Sequence, residues 1–138
     1  MHKATLVITT IILIGAVLFL NQSENRGATP SDALNTCISA VKTGDMKTFS
    51  EYTIDGDRFW SEWKAATENE RELVRSMLPQ LMGEICFFDY EVTKQEVSGD
   101  SAKLWVEIEG RTDLDDPENV IMKKEGNRWK IEIAETYR

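Results

Sequence analysis

Ser98-Gly99-Asp100-Ser101-Ala102-Lys103-Leu104-Trp105-Val106-Glu107-Ile108-Glu109 decides the fold of this chain. Ala102, Leu104, Val106 and Ile108 place an apolar side chain at every second position, and Lys103, Glu107 and Glu109 alternate with them, with Trp105 on the polar side. Successive side chains of a strand point to opposite faces, so a period of two predicts a β-strand with one covered face. Ser98-Gly99-Asp100 before it has turn chemistry, and Glu125-Gly126-Asn127 repeats that chemistry between residues 120–124 and 128–134. Short connections of this kind join antiparallel neighbours. Residues 85–134 therefore read as a meander of four strands, the first spanning 84–97.

Upstream of Gly83 the period is helical. Thr29, Pro30 and Asp32 offer an N-cap, a proline at the first helical position and an acid at the third. Ala33, Leu34, Cys37, Ile38 and Val41 then recur on one face, and Gly44 ends the helix. Asp45 caps a short second helix carrying Met46 and Phe49, and Asp55-Gly56-Asp57 marks a turn. Phe59, Trp60 and Trp63 lie on one side of the next helical piece. Thr67 and Glu70 form a capping box for the piece after it, whose apolar face holds Leu73, Val74, Met77, Leu78, Leu81 and Met82. Pro79 removes a backbone donor there, so a kink or break is expected near Leu78. The aromatic and methionine stripe reads as core, with the lining of a ligand pocket as the alternative. The fold class is α+β: an N-terminal transmembrane helix, then two to three helices packed on a four-stranded curved antiparallel sheet.

Residues 4–20 carry no charge and little polarity beyond Thr5, Thr9 and Thr10. This run of about 17 residues lies at the short end of what spans a bilayer as a helix. His2, Lys3 and the amino terminus precede it, which sets the N-terminus in the cytoplasm and the remainder outside. A cleaved signal peptide and an uncleaved anchor compete. Asn21, Gln22, Ser23, Glu24, Asn25 and Arg26 lack the small-residue cleavage pattern, which favours the anchor. Residues 21–28 read as a linker and 29–138 as one domain, consistent with a chain of 138 residues. The expected location is the cell membrane, single pass, with the domain extracytoplasmic.

A formal charge of -8 and an isoelectric point near 4.7 argue against nucleic acid, whose binding rests on neutralising phosphates with Lys and Arg. His2 is the only histidine, so the domain lacks the parts of a Ser-His-Asp arrangement, a Cys-His pair or a histidine metal site. No metal and no cofactor are expected. Cys37 and Cys86 are the only cysteines. In an oxidising compartment they are candidates for a disulfide closing a loop of about fifty residues, which chain-entropy arguments value at up to about 4 kcal/mol. The alternative is two buried thiols.

The order of elements resembles the small extracytoplasmic, lipoprotein-associated bacterial domains of the NTF2-like superfamily, which share a cystatin-like cone. The residues that carry the likeness are Lys42-Thr43-Gly44-Asp45, Val97-Ser98-Gly99-Asp100-Ser101-Ala102 and Trp129-Lys130-Ile131. It extends over residues 30–134. Many such domains are lipoproteins, and this chain departs from them in lacking a lipidation cysteine. The resemblance implies a binding or scaffolding domain, partnered by an envelope protein. It also implies two alternatives: a binder of small apolar ligands lined by Trp60, Trp63, Phe87 and Tyr90, and a carboxylate-dependent enzyme. For the enzyme the candidate is Asp89, set among Phe87, Phe88 and Tyr90, where burial would raise a carboxyl pKa. The acidic stretch 111–118, with Pro117, is expected to form the mobile edge of the domain.

Overall fold

The computed structural model describes residues 28–109 and 118–137, so the apolar run 4–20, residues 21–27 of the linker and residues 110–117 lie outside the described residues. The described chain is an α+β domain. Helices α1 (Pro30–Thr43), α2 (Met46–Glu51), α3 (Gly56–Ala65) and α4 (Glu68–Met82) come first, followed by a 3-10 turn, Glu84–Cys86. Strands β1 (Tyr90–Ser98), β2 (Ser101–Ile108), β3 (Glu118–Glu125) and β4 (Arg128–Ile131) follow, and a short helix α5 (Ile133–Thr136) ends the order. The sheet is an antiparallel meander in the order β1-β2-β3-β4. Both tight turns put glycine first with positive φ, Gly99 at 58° and Gly126 at 61°, the arrangement that matches the twist of a two-residue hairpin.

Helix α1 begins where its capping residues place it. The Asp32 N–H donates to Thr29 Oγ1 at 3.1 Å, and Gly44 closes the other end. Its stripe of Ala33, Leu34, Cys37, Ile38 and Val41 is buried against β2 and β4. The sheet meets it with Ala102, Leu104, Val106 and Ile108 of β2, Val120 and Met122 of β3, and Trp129 and Ile131 of β4. Each large apolar side chain taken out of water here contributes about 1.5–3 kcal/mol, so α1 against the sheet is the main cohesive layer.

The structure departs from the sequence expectations at five places. There are five α-helices among the described residues, not two or three. The first strand starts at Tyr90 and not at 84, because Glu84–Cys86 winds into a 3-10 turn that buries Ile85 and Cys86 side by side. A strand turns neighbours to opposite faces and would have left one of them outside. The fourth strand stops at Ile131; α5 then folds back so that Thr136 Oγ1 accepts from the Ile121 N–H at 2.9 Å. Asp55-Gly56-Asp57 is the start of α3 and not a free turn, and a Cβ on Gly56 would lie 1.6 Å from the Ser50 carbonyl oxygen. Helix α4 runs through Pro79 to Met82 without a break. Pro79 costs the helix a hydrogen bond, about 3 kcal/mol in an ordinary interior. Burial of Met82 and of Ile85 and Cys86 just beyond it offsets that loss.

The two sheet edges differ. β4 is covered by the segment after α2, through a parallel bridge between Thr53 and Ile131 and hydrogen bonds Ile54 N–H to Ile131 O and Ile131 N–H to Tyr52 O, both 2.9 Å. β1 has β2 as its only strand partner among the described residues, and its pairing shifts between Val92 and Lys94. An interrupted, charged edge of this kind resists pairing with other strands.

Candidate functional site

Among the described residues, the side chains between helices and sheet are closely packed. Leu34, Cys37, Leu104, Val106, Met122 and Ile131 all have no solvent exposure. Trp63, one of the four aromatic residues with pocket potential, is part of this core. It stacks on Phe59 with ring centroids 6.1 Å apart, and Phe59 meets Phe49 edge-on at 5.1 Å. From α4, Arg71 and Arg75 lay their guanidinium groups over the Trp63 ring at 5.6 and 5.0 Å. Arg71 also donates to the carbonyls of Trp63 and Lys64, both at 3.0 Å, satisfying acceptors that the end of α3 leaves open. Trp60 is half-buried beside this cluster, and Phe87 is 60% exposed.

Tyr90 lies apart from Trp63, at the start of β1. Its hydroxyl donates to Asn35 Oδ1 on α1. Burial, with the Cys37 and Cys86 thiols nearby, pushes the phenol up to about 12. Cys37 and Cys86 are both buried and unbonded to each other. Burial raises both thiols; Cys86 pushes Cys37 up further, while Lys42 pulls Cys86 back. Tyr90 and the two cysteines thus form one protonated group under the middle of α1, where charge is disfavoured by the surrounding apolar side chains.

Asp89 is exposed, just ahead of β1, and its carbonyl accepts from the Glu109 N–H at 2.8 Å. With Tyr90, Glu91, Glu107 and Glu109 it lines a surface cleft of about 360 Å³. Glu91 and Glu107 face each other across β1 and β2, a like-charge pair that costs stability. Phe87 and Phe88, which adjoin Asp89 in sequence, are 60% and 52% exposed and do not enclose it. A second cleft of about 460 Å³ runs along α1 and α2, lined by Asn35, Thr36, Ser39, Ala40, Thr43, Asp45 and Thr48. Neither cleft is lined by Trp60, Trp63 or Phe87. Among the described residues, no group of three His, Cys, Asp or Glu side chains is arranged to hold a metal ion.

The feature that sequence reasoning did not separate is the outer face of α4. Val74, Leu78 and Met82 turn inward, whereas Leu73, Met77 and Leu81 are 59%, 45% and 67% exposed. Both sets recur every fourth residue, so each is a stripe along the helix, and the two differ by one residue, about 100° of arc. With Phe87 and Phe88, the outer stripe accounts for five of the seven large exposed apolar side chains among the described residues; the other two are Val97 and Tyr137. Single exposed apolar residues are ordinary, but a concentration on one short segment is the mark of an interaction surface. The signal for it in the sequence was the width of the apolar face, six residues where one buried stripe needs three. Among the described residues no helix is long and apolar enough to cross a membrane. No family model, curated protein or solved structure matches the chain.

Proposed function

We propose that this chain is a single-pass envelope protein, anchored through residues 4–20, whose extracytoplasmic domain is an NTF2-like cone that docks another protein and catalyses no reaction. The observation that carries this reading is the pairing, among the described residues, of a closely packed interior with an apolar stripe left outside it. A binder of small apolar ligands would need the space that Leu34, Leu104, Val106 and Met122 occupy. A carboxylate enzyme built on Asp89 would need that group enclosed, and it lies open to solvent. The uncharged run 4–20, with Lys3 before it and an eight-residue polar linker after it, supports the anchored, outward-facing arrangement.

The test is native gel electrophoresis of gently solubilised membranes. The reading expects the full chain to migrate in a complex larger than itself and to be released from it by Leu73→Glu with Leu81→Glu. Migration that is unchanged by those substitutions, together with stoichiometric binding of an apolar dye that an interior change such as Ile38→Trp abolishes, would favour the ligand binder instead.

A further inference from the structure

We propose that Cys37 and Cys86 are a redox pair: a disulfide donor converts the two thiols into a bond that fastens α1 to the 3-10 turn, and Cys86 reacts first. The proposal rests on the outward-facing reading above for one thing, the supply of that donor, since protein disulfides persist in extracytoplasmic compartments and are rare in a reducing cytosol.

The fold brings the two cysteines together from opposite ends of the helical half of the domain. Cys37 sits on the buried stripe of α1, Cys86 ends the turn Glu84–Cys86, and that turn packs against α1. Both side chains belong to one buried core cluster. Beside them the Tyr90 hydroxyl donates to Asn35 Oδ1, which ties the chain just beyond Cys86 to the turn of α1 just before Cys37. Charge on Cys86 is felt at Cys37, and charge on either thiol is felt at Tyr90. A disulfide bridges Cα atoms no more than about 7 Å apart, so only residues on elements in direct contact are eligible. Helices α2, α3 and α4 all lie inside the loop that the bond closes. Such a bond restricts the unfolded chain far more than the folded one, and so stabilises the fold.

The two thiols are unequal, and that sets the order of reaction. Cys37 has no solvent exposure and burial keeps its thiol protonated, whereas Cys86 is 7% exposed and Lys42, in the last turn of α1, favours its thiolate. The thiolate is the attacking species. The turn that carries Cys86 is three residues long and is followed by the exposed Phe87 and Phe88, so local opening there uncovers Cys86 while α1 stays in place. Cys86 then attacks one sulfur of a donor RS–SR, forming a mixed disulfide and releasing one thiolate, which takes up a proton. As the turn recloses, Cys37 attacks Cys86 Sγ, and its proton leaves with the second thiol. The two cysteines lose two electrons in all, and the donor is reduced to two thiols.

The test uses the purified full chain in mild detergent, reduced, freed of reductant and given oxidised glutathione without denaturant. Peptide mass spectrometry after alkylation should find Cys37 linked to Cys86 within one chain. The thermal midpoint should rise by about 10–15 °C, as expected for a closed loop of about fifty residues in a domain of this size, and return on reduction with dithiothreitol. Cys37→Ala should stop with glutathione on Cys86, and Cys86→Ala should take up at least about tenfold less in the same time. Two free thiols after prolonged incubation of the wild type, or links between chains only, overturn the pair without recourse to any variant. An oxidised chain with an unchanged or lower midpoint overturns the staple, and equal glutathione uptake by the two variants overturns the order of attack. A linked pair in vitro with two free thiols in native membranes supports the pair and counts against the outward-facing reading, so the two fail separately.

Discussion

Leu81 and Met82 are neighbours on α4 with opposite fates, 67% and 1% exposed, and replacing each by alanine measures how α4 is used. Full burial of a leucine or methionine side chain is worth about 1.5–3 kcal/mol, of which Leu81 realises about a third. Leu81→Ala should therefore cost no more than about 1 kcal/mol. Met82→Ala removes a fully enclosed side chain and leaves a cavity in the core, for which the expected cost is about 2–5 kcal/mol. In a domain of this size each kcal/mol moves the thermal midpoint by about 4 °C, so the two variants should separate by about 4 °C or less against about 8–20 °C. Circular dichroism of the full chain in detergent reads both. A loss for Leu81→Ala as large as that for Met82→Ala would mean that the stripe is covered within the chain itself, and would refute its assignment as a free surface.

Gly56→Ala should destabilise severely, by several kcal/mol, because its Cβ would sit 1.6 Å from the Ser50 carbonyl and neither backbone can yield without moving α2 against α3; a thermal midpoint within a few degrees of wild type would contradict this. Thr67→Ala should cost about 1 kcal/mol, since Thr67 Oγ1 accepts from the Glu70 N–H at 3.2 Å in the capping box at the start of α4, again read from the thermal midpoint. Stability should fall with alkaline pH. Tyr90, Cys37 and Cys86 have folded pKa values above their ordinary 10 and 9, so the unfolded chain loses these protons first, and stability present below about pH 9 drains away between pH 9 and 12. The midpoint of Tyr90→Phe should fall less steeply above pH 10, and an equal fall would remove Tyr90 from the account.

Much of this fold was legible because local signals and packing agree. Thr29-Pro30, the Thr67–Glu70 box and the alternation of residues 102–108 each specify an element by backbone chemistry that tertiary contacts only reinforce. The signals failed where burial overrides period. Ile85-Cys86-Phe87-Phe88 reads as an apolar strand, yet its first two residues are both buried and its last two both exposed, an arrangement only a turn delivers. Residues 131–133 alternate like a strand, but β4 ends at Ile131, and the edge of β3 at Ile121 is taken by Glu132 and Thr136. On α4, Leu73, Met77 and Leu81 are chemically equivalent to Val74, Leu78 and Met82. Only the position of α1 and the sheet decides which stripe goes inside, so the candidate surface was visible as excess apolar width and its location was not. Asp89 misled for a related reason: apolar neighbours in sequence enclose a carboxylate only if they turn toward it.

The central claim is that a partner protein covers the outer face of α4 in the membrane. Cys37 and Cys86 are buried, so a cysteine placed at Leu81 is the reactive thiol on that face, and a cysteine at the exposed Lys103 of β2 serves as the reference. Labelling with a membrane-impermeant maleimide should be fast at both positions in the purified full chain. In native membranes it should be at least about tenfold slower at position 81 and unchanged at 103. Equal labelling of position 81 in both preparations, or equal protection in both, would contradict the account.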